Sequence, residues 1–254
     1  AWSDISSNLS IAQQYRLGLS TSNPDLIVTG HQDNGSNLMD QTSWEQIYGG
    51  DGMDCFIDRT NNNKIFVSYV YGDYQRSTNG GNSFTSINSG IPSGDKWLSV
   101  WHQDPIDAST LYAGGRSSLY KSTNLGTSWS SIGSPSGSGA VIEFAIAPSN
   151  NQIIYALKQN AVSKSTNGGS SFQSISSGLP TNAQPTYVAI SDTDPNIAFV
   201  TYSGYSSNSK VFKTNDGGAS WTNISSGLPN LPVNCVVYHN ASPVDAIYIG
   251  TDVG

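Results

Sequence analysis

Four acidic residues carry most of the chemistry this sequence offers: Asp33, Asp51, Asp54 and Glu143. Asp33 stands in "HQDNG" (31–35) and Asp51 in "GGDGMD" (49–54), two short polar stretches with glycine. If the fold brings the stretches together, Gln32, Asp33, Asn34 and Asp51 converge on one binding surface. Two facing carboxylates can act as general acid and base on a glycosidic bond, at roughly 5–5.5 Å for retention and roughly 6.5–9.5 Å for inversion. The same oxygens can hold Ca²⁺. A plainer reading stands beside these: "DNG" is a tight hairpin turn and "GGDG" a glycine-rich bend. Glu143 is one of only two glutamates and lies in an apolar run, "VIEFAIA" (141–147).

The elements that must position these residues are repeats. "RSTNGGNSF" (76–84) returns as "KSTNLGTSW" (121–129), "KSTNGGSSF" (164–172) and "KTNDGGASW" (213–221). The closing aromatics are Phe84, Trp129, Phe172 and Trp221, and Trp44 and Trp2 extend the series backwards, giving spacings of 42, 40, 45, 43 and 49. Around Trp44 the loop has decayed to "LMDQTSW", and around Trp2 only "AWSDIS" remains. A second phrase follows the aromatic: "INSGIP" (87–92) and "ISSGLP" (175–180 and 224–229). An apolar run, a turn and a further apolar run precede each loop. Each period therefore holds four short strands, A to D, bounded by Gly, Pro, Asn and Asp. Such a period predicts an all-β propeller of four-stranded antiparallel blades, about five to six of them, spanning 1–254 with the last incomplete.

The copied loop is the hairpin between strands C and D. Gly81, Gly126, Gly169 and Gly218 supply positive φ. Asn79, Asn124, Asn167 and Asp216 bond their own turn. Phe84, Trp129, Phe172 and Trp221 bury against the blade. These residues set the fold and not the chemistry, which belongs to the B–C and D–A loops on the opposite face. Aligning the blades on strand B gives a row in strand A: Arg16, Asp54, Val100, Glu143, Tyr187 and Val236. The alternation of a strand turns them the same way in each blade. Arg16, Asp54, Glu143 and Tyr187 could form a polar cluster, or each could pair locally.

The pattern Ser/Thr-x-Asp/Asn-x-Gly-x-Ser/Thr-Trp/Phe resembles the Asp-box, or BNR repeat, in four good copies, one decayed copy and one trailing end. The resemblance implies a propeller of the sortilin and sialidase superfamily. That group includes sialidases, xyloglucanase-type glycoside hydrolases, sortilin-type receptor ectodomains and secreted bacterial surface proteins. "GHQDNGSN" (30–37), "GGDGMDCFID" (49–58) and "VYHNASPVDAIYIGTDVG" (237–254) look most like the last group. A sialidase would need an arginine triad. The chain has four arginines, Arg16, Arg59, Arg76 and Arg116, two of them placed on the wrong face, and it lacks the Arg-Ile/Leu-Pro phrase. A xyloglucanase-type enzyme would need two aspartates from facing blades, of which Asp51 or Asp54 could be one.

Composition narrows the partners. Charged residues make up 11% of the chain and the net charge is −7, against a typical charged share of roughly 25%. The 11 Lys and Arg never cluster, so the footprint for nucleic acid or an anionic membrane is missing. No run is apolar enough to span a membrane. Cys55 and Cys235 read as buried free thiols, with a disulfide as the alternative. No metal-ligand spacing occurs, and no cofactor is expected beyond the Ca²⁺ considered above. Tyr71, Tyr74, Trp97, Trp101 and Tyr205 are expected at the surface, where they could stack on sugars. Together these readings give an extracellular, secreted or cell-surface module that binds a glycan or a protein or peptide at the propeller mouth, with a glycoside hydrolase as the alternative. Either the chain is a segment of a longer surface protein, or "AWSDIS" closes the last blade.

Overall fold

Short runs rich in Val, Ile, Tyr and Phe, punctuated by Gly, Asn and Asp, favour pleated strands joined by tight turns. The computed structural model describes residues 12–92, 96–240 and 242–254. Trp2 and "AWSDIS" lie outside the described residues. Two compact units are present, Ala1–Ser86 and Ile87–Gly254.

In the first unit, β1 (Gln14–Leu19), β2 (Leu26–His31), β3 (Gly35–Asp40) and β4 (Ser43–Tyr48) form one antiparallel sheet in chain order. A second sheet contains β5 (Cys55–Ile57), β6 (Ile65–Tyr69), β7 (Asp73–Ser77) and β8 (Thr85–Ser86). The core between them holds Leu26, Val28, Cys55, Ile57, Ile65 and Val67. A 3₁₀ turn at Val70–Gly72 is the only helical element among the described residues.

The second unit repeats the plan three times and begins a fourth. Its first sheet is β9 (Trp101–Gln103), β10 (Leu111–Gly114), β11 (Leu119–Ser122) and β12 (Ser130–Ser131). Next come β13 (Glu143–Ala147), β14 (Asn150–Lys158), β15 (Ala161–Ser165) and β16 (Gln173–Ser174). The third sheet has β17 (Pro185–Ile190), β18 (Ala198–Tyr202), β19 (Val211–Thr214) and β20 (Thr222–Asn223). The last has two strands, β21 (Val233–Tyr238) and β22 (Ile247–Thr251). Apolar cores fill the spaces between successive sheets, with Tyr112, Phe144 and Ile154 in one and Tyr155, Val188 and Tyr202 in the next.

The four copied loops share one geometry. In the first, Ser77 Oγ accepts from Asn79 N–H (3.2 Å) and Gly81 N–H (2.9 Å) and donates to Asn79 Oδ1. Asn79 Oδ1 also accepts from Ser83 N–H at 3.0 Å. Ser122–Ser128, Ser165–Ser171 and Thr214–Ser220 repeat these bonds within a few tenths of an ångström. In the first loop the N–H groups of Asn79, Gly81 and Ser83 thus find local side-chain oxygens, which a tight loop with no ladder partners needs. Each loop is also tied to the A–B turn of its own sheet: Gly80, Leu125, Gly168 and Gly217 donate N–H to the carbonyls of Asn63, Ser109, Gln152 and Asn196.

The second repeated phrase has a physical role that the sequence reading did not give it. Its isoleucine is the seat for the next loop. A Cβ on Gly126 (φ +86°) would stand 2.5 Å from Ile87 Cδ1, and one on Gly169 or Gly218 the same distance from Ile132 or Ile175 Cδ1. Gly81 sits on Ile47 in the same way, at 3.0 Å from its Cγ2. Glycine is needed at these places both for positive φ and for close approach. The loop tryptophans cross to the same seat: Trp129 Nε1–H donates to Ile87 O at 2.7 Å and Trp221 Nε1–H to Ile175 O at 2.8 Å. Within each unit the hairpins therefore clamp onto the isoleucine segment that precedes their own sheet.

Some expectations need correction. Tyr74 and Trp101 are buried, at 1% and 0% exposure, because alternation turns them inward in β7 and β9. Tyr71, Trp97 and Tyr205 are exposed as expected. Both cysteines are free, but only Cys55 is buried, and Cys235 is half-buried on β21. Trp44 is 54% exposed. The β3–β4 connection has shrunk to a turn through Gln41 (φ +57°), which lacks the glycine and the serine–asparagine bonds that seat the others.

Candidate functional site

In the first unit the turn 31–35 and the bend 49–54 do meet. Asp51 Oδ1 accepts the backbone N–H of Asp33 at 2.8 Å. Gly35 N–H donates to Gly50 O and Gly52 N–H to His31 O. A Cβ on Gly52 would lie 2.1 Å from Gly35 O, so the two glycine stretches touch through bare backbone. Asp33 takes φ +60°, a conformation that aspartate tolerates in turns. Asp51 is therefore an anchor for the loop backbone. Gln32 Oε1 accepts from Tyr15 Oη at 2.8 Å, and Asn34 O accepts from Gln46 Nε2 and Asn37 Nδ2. Gln32, Asp33 and Asn34, with Ala12 and Gln13, line an open concavity of about 480 Å³. Asp54 is 5% exposed, and its Oδ1 accepts from Cys55 N–H at 3.0 Å. Burial and then the Asp54 charge push the Cys55 thiol well up, opposed by Arg16.

The row read from the sequence holds in the ladders. Arg16 pairs with Gly30, Asp54 O accepts from Ser68 N–H, Gly114 N–H donates to Val100 O and Glu143 pairs with Leu157. Each partner lies two residues beyond the strand-B position used for the alignment. Val236 departs by one residue, because a bulge between Val233 and Cys235 shifts β21 against β22.

In the second unit this register produces a paired site. Glu143 opens β13 and is 1% exposed. Its Oε1 accepts from Phe144 N–H (3.0 Å) and meets His102 Nε2 at 2.8 Å. His102 lies in β9 of the preceding sheet, two residues after Val100 on the same face. The contact holds the plane of the imidazole, and with Glu143 ionised Nε2 is the donor of the pair. Phe144 braces the ring edge-on at 4.7 Å between centroids. The His102 side chain is 34% exposed. It faces a concavity of about 240 Å³ formed with Gln103, Pro105, Phe144, Ala145, Ile146, Tyr187 and Val188. Three first strands, β9, β13 and β17, thus contribute to one surface.

The sequence reading named Glu143 and Tyr187 but missed His102. Its signal was the same-face rule: in "WLSVWH" the residue two past Val100 must share the face of the row. The surface has apolar and aromatic walls and an oriented imidazole. Its only carboxylate is buried behind the histidine. Such a surface can hold a ring or an apolar side chain against the imidazole and the Phe144 and Tyr187 rings. Among the described residues, no group of three or more His, Cys, Asp or Glu comes together so as to hold a metal ion.

The family model of Sortilin-Vps10 (sortilin, neurotensin receptor 3) matches residues 117–244, just over half of the chain. No curated protein matches. Among solved structures, an ancestral GH74 enzyme superposes with a TM-score of 0.78 at 19% identity, over 91% of this chain and 33% of that one. The extracellular domain of a one-component system of B. thetaiotaomicron gives 0.71 at 13% identity, over 97% and 32%. YCF48 from Cyanidioschyzon merolae gives 0.58 at 12%, over 94% and 92%. The chain thus spans about a third of the length of the first two. These likenesses establish the β-propeller fold and leave the activity to the site's own chemistry.

Proposed function

The chain belongs to the Sortilin-Vps10 family, and from that premise we propose that it is an extracellular binding module, secreted or held at a cell surface, that does not catalyse. Its ligand is a glycan or peptide that places one sugar ring or one side chain in the concavity of His102, Phe144 and Tyr187. The observation that carries this reading is the use of Glu143. Its carboxylate is spent on His102 and on the Phe144 amide, so it orients a binding group instead of attacking a substrate. Asp51 is likewise committed to the Asp33 backbone. The volume lies below the roughly 300–1,000 Å³ of sites that enclose a drug-sized molecule, which suits one unit of a longer polymer. No helix among the described residues is long and apolar enough to cross a membrane.

The likeness to a GH74 enzyme keeps hydrolysis as the competing reading, with Asp33 or Asp51 as the acid or base. One experiment addresses both. The protein and its Tyr187→Ala, His102→Ala and Asp51→Ala variants are screened against polysaccharides and peptides, with binding and sugar release measured together. Saturable binding without release, weakened about tenfold by Tyr187→Ala (about 1.4 kcal/mol), supports the module. Sugar release that Asp51→Ala abolishes refutes it and establishes an enzyme.

A further inference from the structure

Lys158 ends β14 and is 4% exposed. Its Nζ donates to Ser117 O at 3.0 Å. An ammonium carries three N–H donors, so two remain for another acceptor. Among the described residues no carboxylate forms an ion pair with it. Buried charges are ordinarily paired, and burial pulls this ammonium below its usual lysine range. The equivalent place in the other sheets, three residues past the strand-B position used for the alignment, holds His31, Tyr69, Gly115, Tyr202 and Thr251. None of these is a lysine or arginine, so the repeat itself does not require the charge.

Lys158 lines an open concavity of about 570 Å³ with Arg116, Ser117, Gly137, Gly139 and Ala140. Arg116 and Ser117 form the turn between β10 and β11, closed by Gly115 N–H on Ser118 O at 2.9 Å. Arg116 is exposed. Gly137 takes φ +106°, and a Cβ there would stand 3.0 Å from Lys158 Cβ and 2.8 Å from Ala161 Cβ. Bare backbone therefore lies over the lysine stem. Ser138 holds it there: its N–H and Oγ donate to Asn160 Oδ1 at 2.9 and 3.2 Å, and its carbonyl accepts from Gln159 N–H at 3.2 Å.

The same two stretches, 137–140 and 158–160, also wall a second concavity of about 330 Å³. It is lined by Ser138, Gln159, Asn160, Thr181, Asn182 and Gln184, with Ala183 the one apolar side chain. A cationic pocket and a cleft of amides and hydroxyls thus stand side by side across one shared wall. Neither shares a lining residue with the concavity of His102.

We propose that this pair of concavities binds an acidic glycan, with the carboxylate of one sugar unit on Lys158 and Arg116 and the hydroxyls of its neighbour in the amide cleft. The guanidinium fork of an arginine matches a carboxylate in two parallel bonds. The buried ammonium gains the opposite charge that it lacks among the described residues. Sugar hydroxyls donate and accept, as do the amides and hydroxyls that face them. A neutral glycan would leave Lys158 unpaired, and an acidic peptide would bring few hydroxyls to the second cleft. The proposal stands apart from the reading of the His102 surface, since different residues carry it.

The test titrates the whole chain with oligogalacturonate and oligoglucuronate, with their methyl esters, and with oligoglutamate. Saturable binding of at least one free uronate is expected, weakened at least tenfold by esterification. Lys158→Met keeps the apolar stem and removes the charge. It should weaken binding by a similar factor without lowering Tm, because an apolar side chain needs no partner in that place. Arg116→Gln, at an exposed position, should weaken binding severalfold with the circular dichroism unchanged, and Asn182→Ala should do the same. No binding of either uronate at millimolar concentration, equal binding of the esters, or full binding by Lys158→Met each overturns the proposal. Equal binding of oligoglutamate overturns it in favour of an acidic peptide. Unfolding of Lys158→Met together with unchanged binding by Arg116→Gln overturns it in favour of a purely structural lysine.

Discussion

Trp129 offers the sharpest test of how the sheets are held together. It is 5% exposed and reaches back 42 residues, where its Nε1–H donates to Ile87 O at 2.7 Å. Trp129→Ala removes the packed indole, and comparable truncations cost about 3–5 kcal/mol. For a unit of this size, each kcal/mol lowers Tm by about 2–4 °C, so the expected fall is roughly 6–20 °C. Trp129→Phe separates the two contributions. Phe84 and Phe172 occupy the same place in other loops, so the ring is accommodated and only the donor is lost. That change should cost about 1 kcal/mol, the net worth of a typical hydrogen bond. Urea unfolding followed by far-ultraviolet circular dichroism, with slopes compared between variants, measures both. An alanine variant within 1 kcal/mol of the parent would refute the clamp. A phenylalanine variant as costly as alanine would show that the hydrogen bond, and not the packing, does the holding.

Other consequences can be checked alongside. Gly126→Ala combines φ +86° with a 2.5 Å approach to Ile87 and should destabilise by more than about 1–3 kcal/mol of backbone strain alone. Gly227→Ala, at φ +82° with open space around it, should show the strain only. Asp216 is held down to about 2 by hydrogen bonds from Ser220 and Thr214. Its folded value lies below the ordinary 3.8, so its stabilising contribution is complete above pH 4 and lost as pH falls through about 2. Asp216→Asn should remove that local acid sensitivity, which amide exchange in the 214–220 loop would report. Asp51→Ala should raise the exchange rate of the Asp33 amide without unfolding the protein, and unchanged exchange would deny the anchor. Glu143→Gln keeps a hydrogen-bonding oxygen but frees His102 from a charge, and the pH dependence of ligand binding should shift, which a purely structural glutamate would not cause.

The fold was legible because its signals are local and repeated. The glycine, the Asx residue and the aromatic at 79, 81 and 84 suffice to define a turn, and they recur at 43–49-residue steps that only stacked sheets explain. The row through Arg16, Asp54, Val100 and Glu143 was legible for the same reason, since alternation has a fixed period. The isoleucine phrase was seen but not understood, because its partner lies a full sheet away and no local pattern names it. His102 was missed because its meaning depends on Glu143, 41 residues later, and pairings of that kind come from register between sheets. Tyr74 and Trp101 were misjudged because polar neighbours in sequence say little about which way a strand residue points. The Asp33–Asp51 approach was foreseen, but the use of one carboxylate to hold the other residue's backbone could not be read from types alone.

The glycine-on-isoleucine seats have a consequence for how such chains change in length. Seat and plug are carried at opposite ends of one period, the plug in the C–D hairpin and the seat just after strand D. Three of the plugs meet their seats alike, since Gly126, Gly169 and Gly218 all approach an isoleucine Cδ1 at the same 2.5 Å. Excising or inserting one whole period, from one isoleucine to the next, therefore leaves no mismatched joint. A cut made at the borders of a sheet keeps all its strands yet orphans a seat. The heritable module is thus one sheet together with the isoleucine phrase that precedes it, and duplication along these borders conserves every clamp.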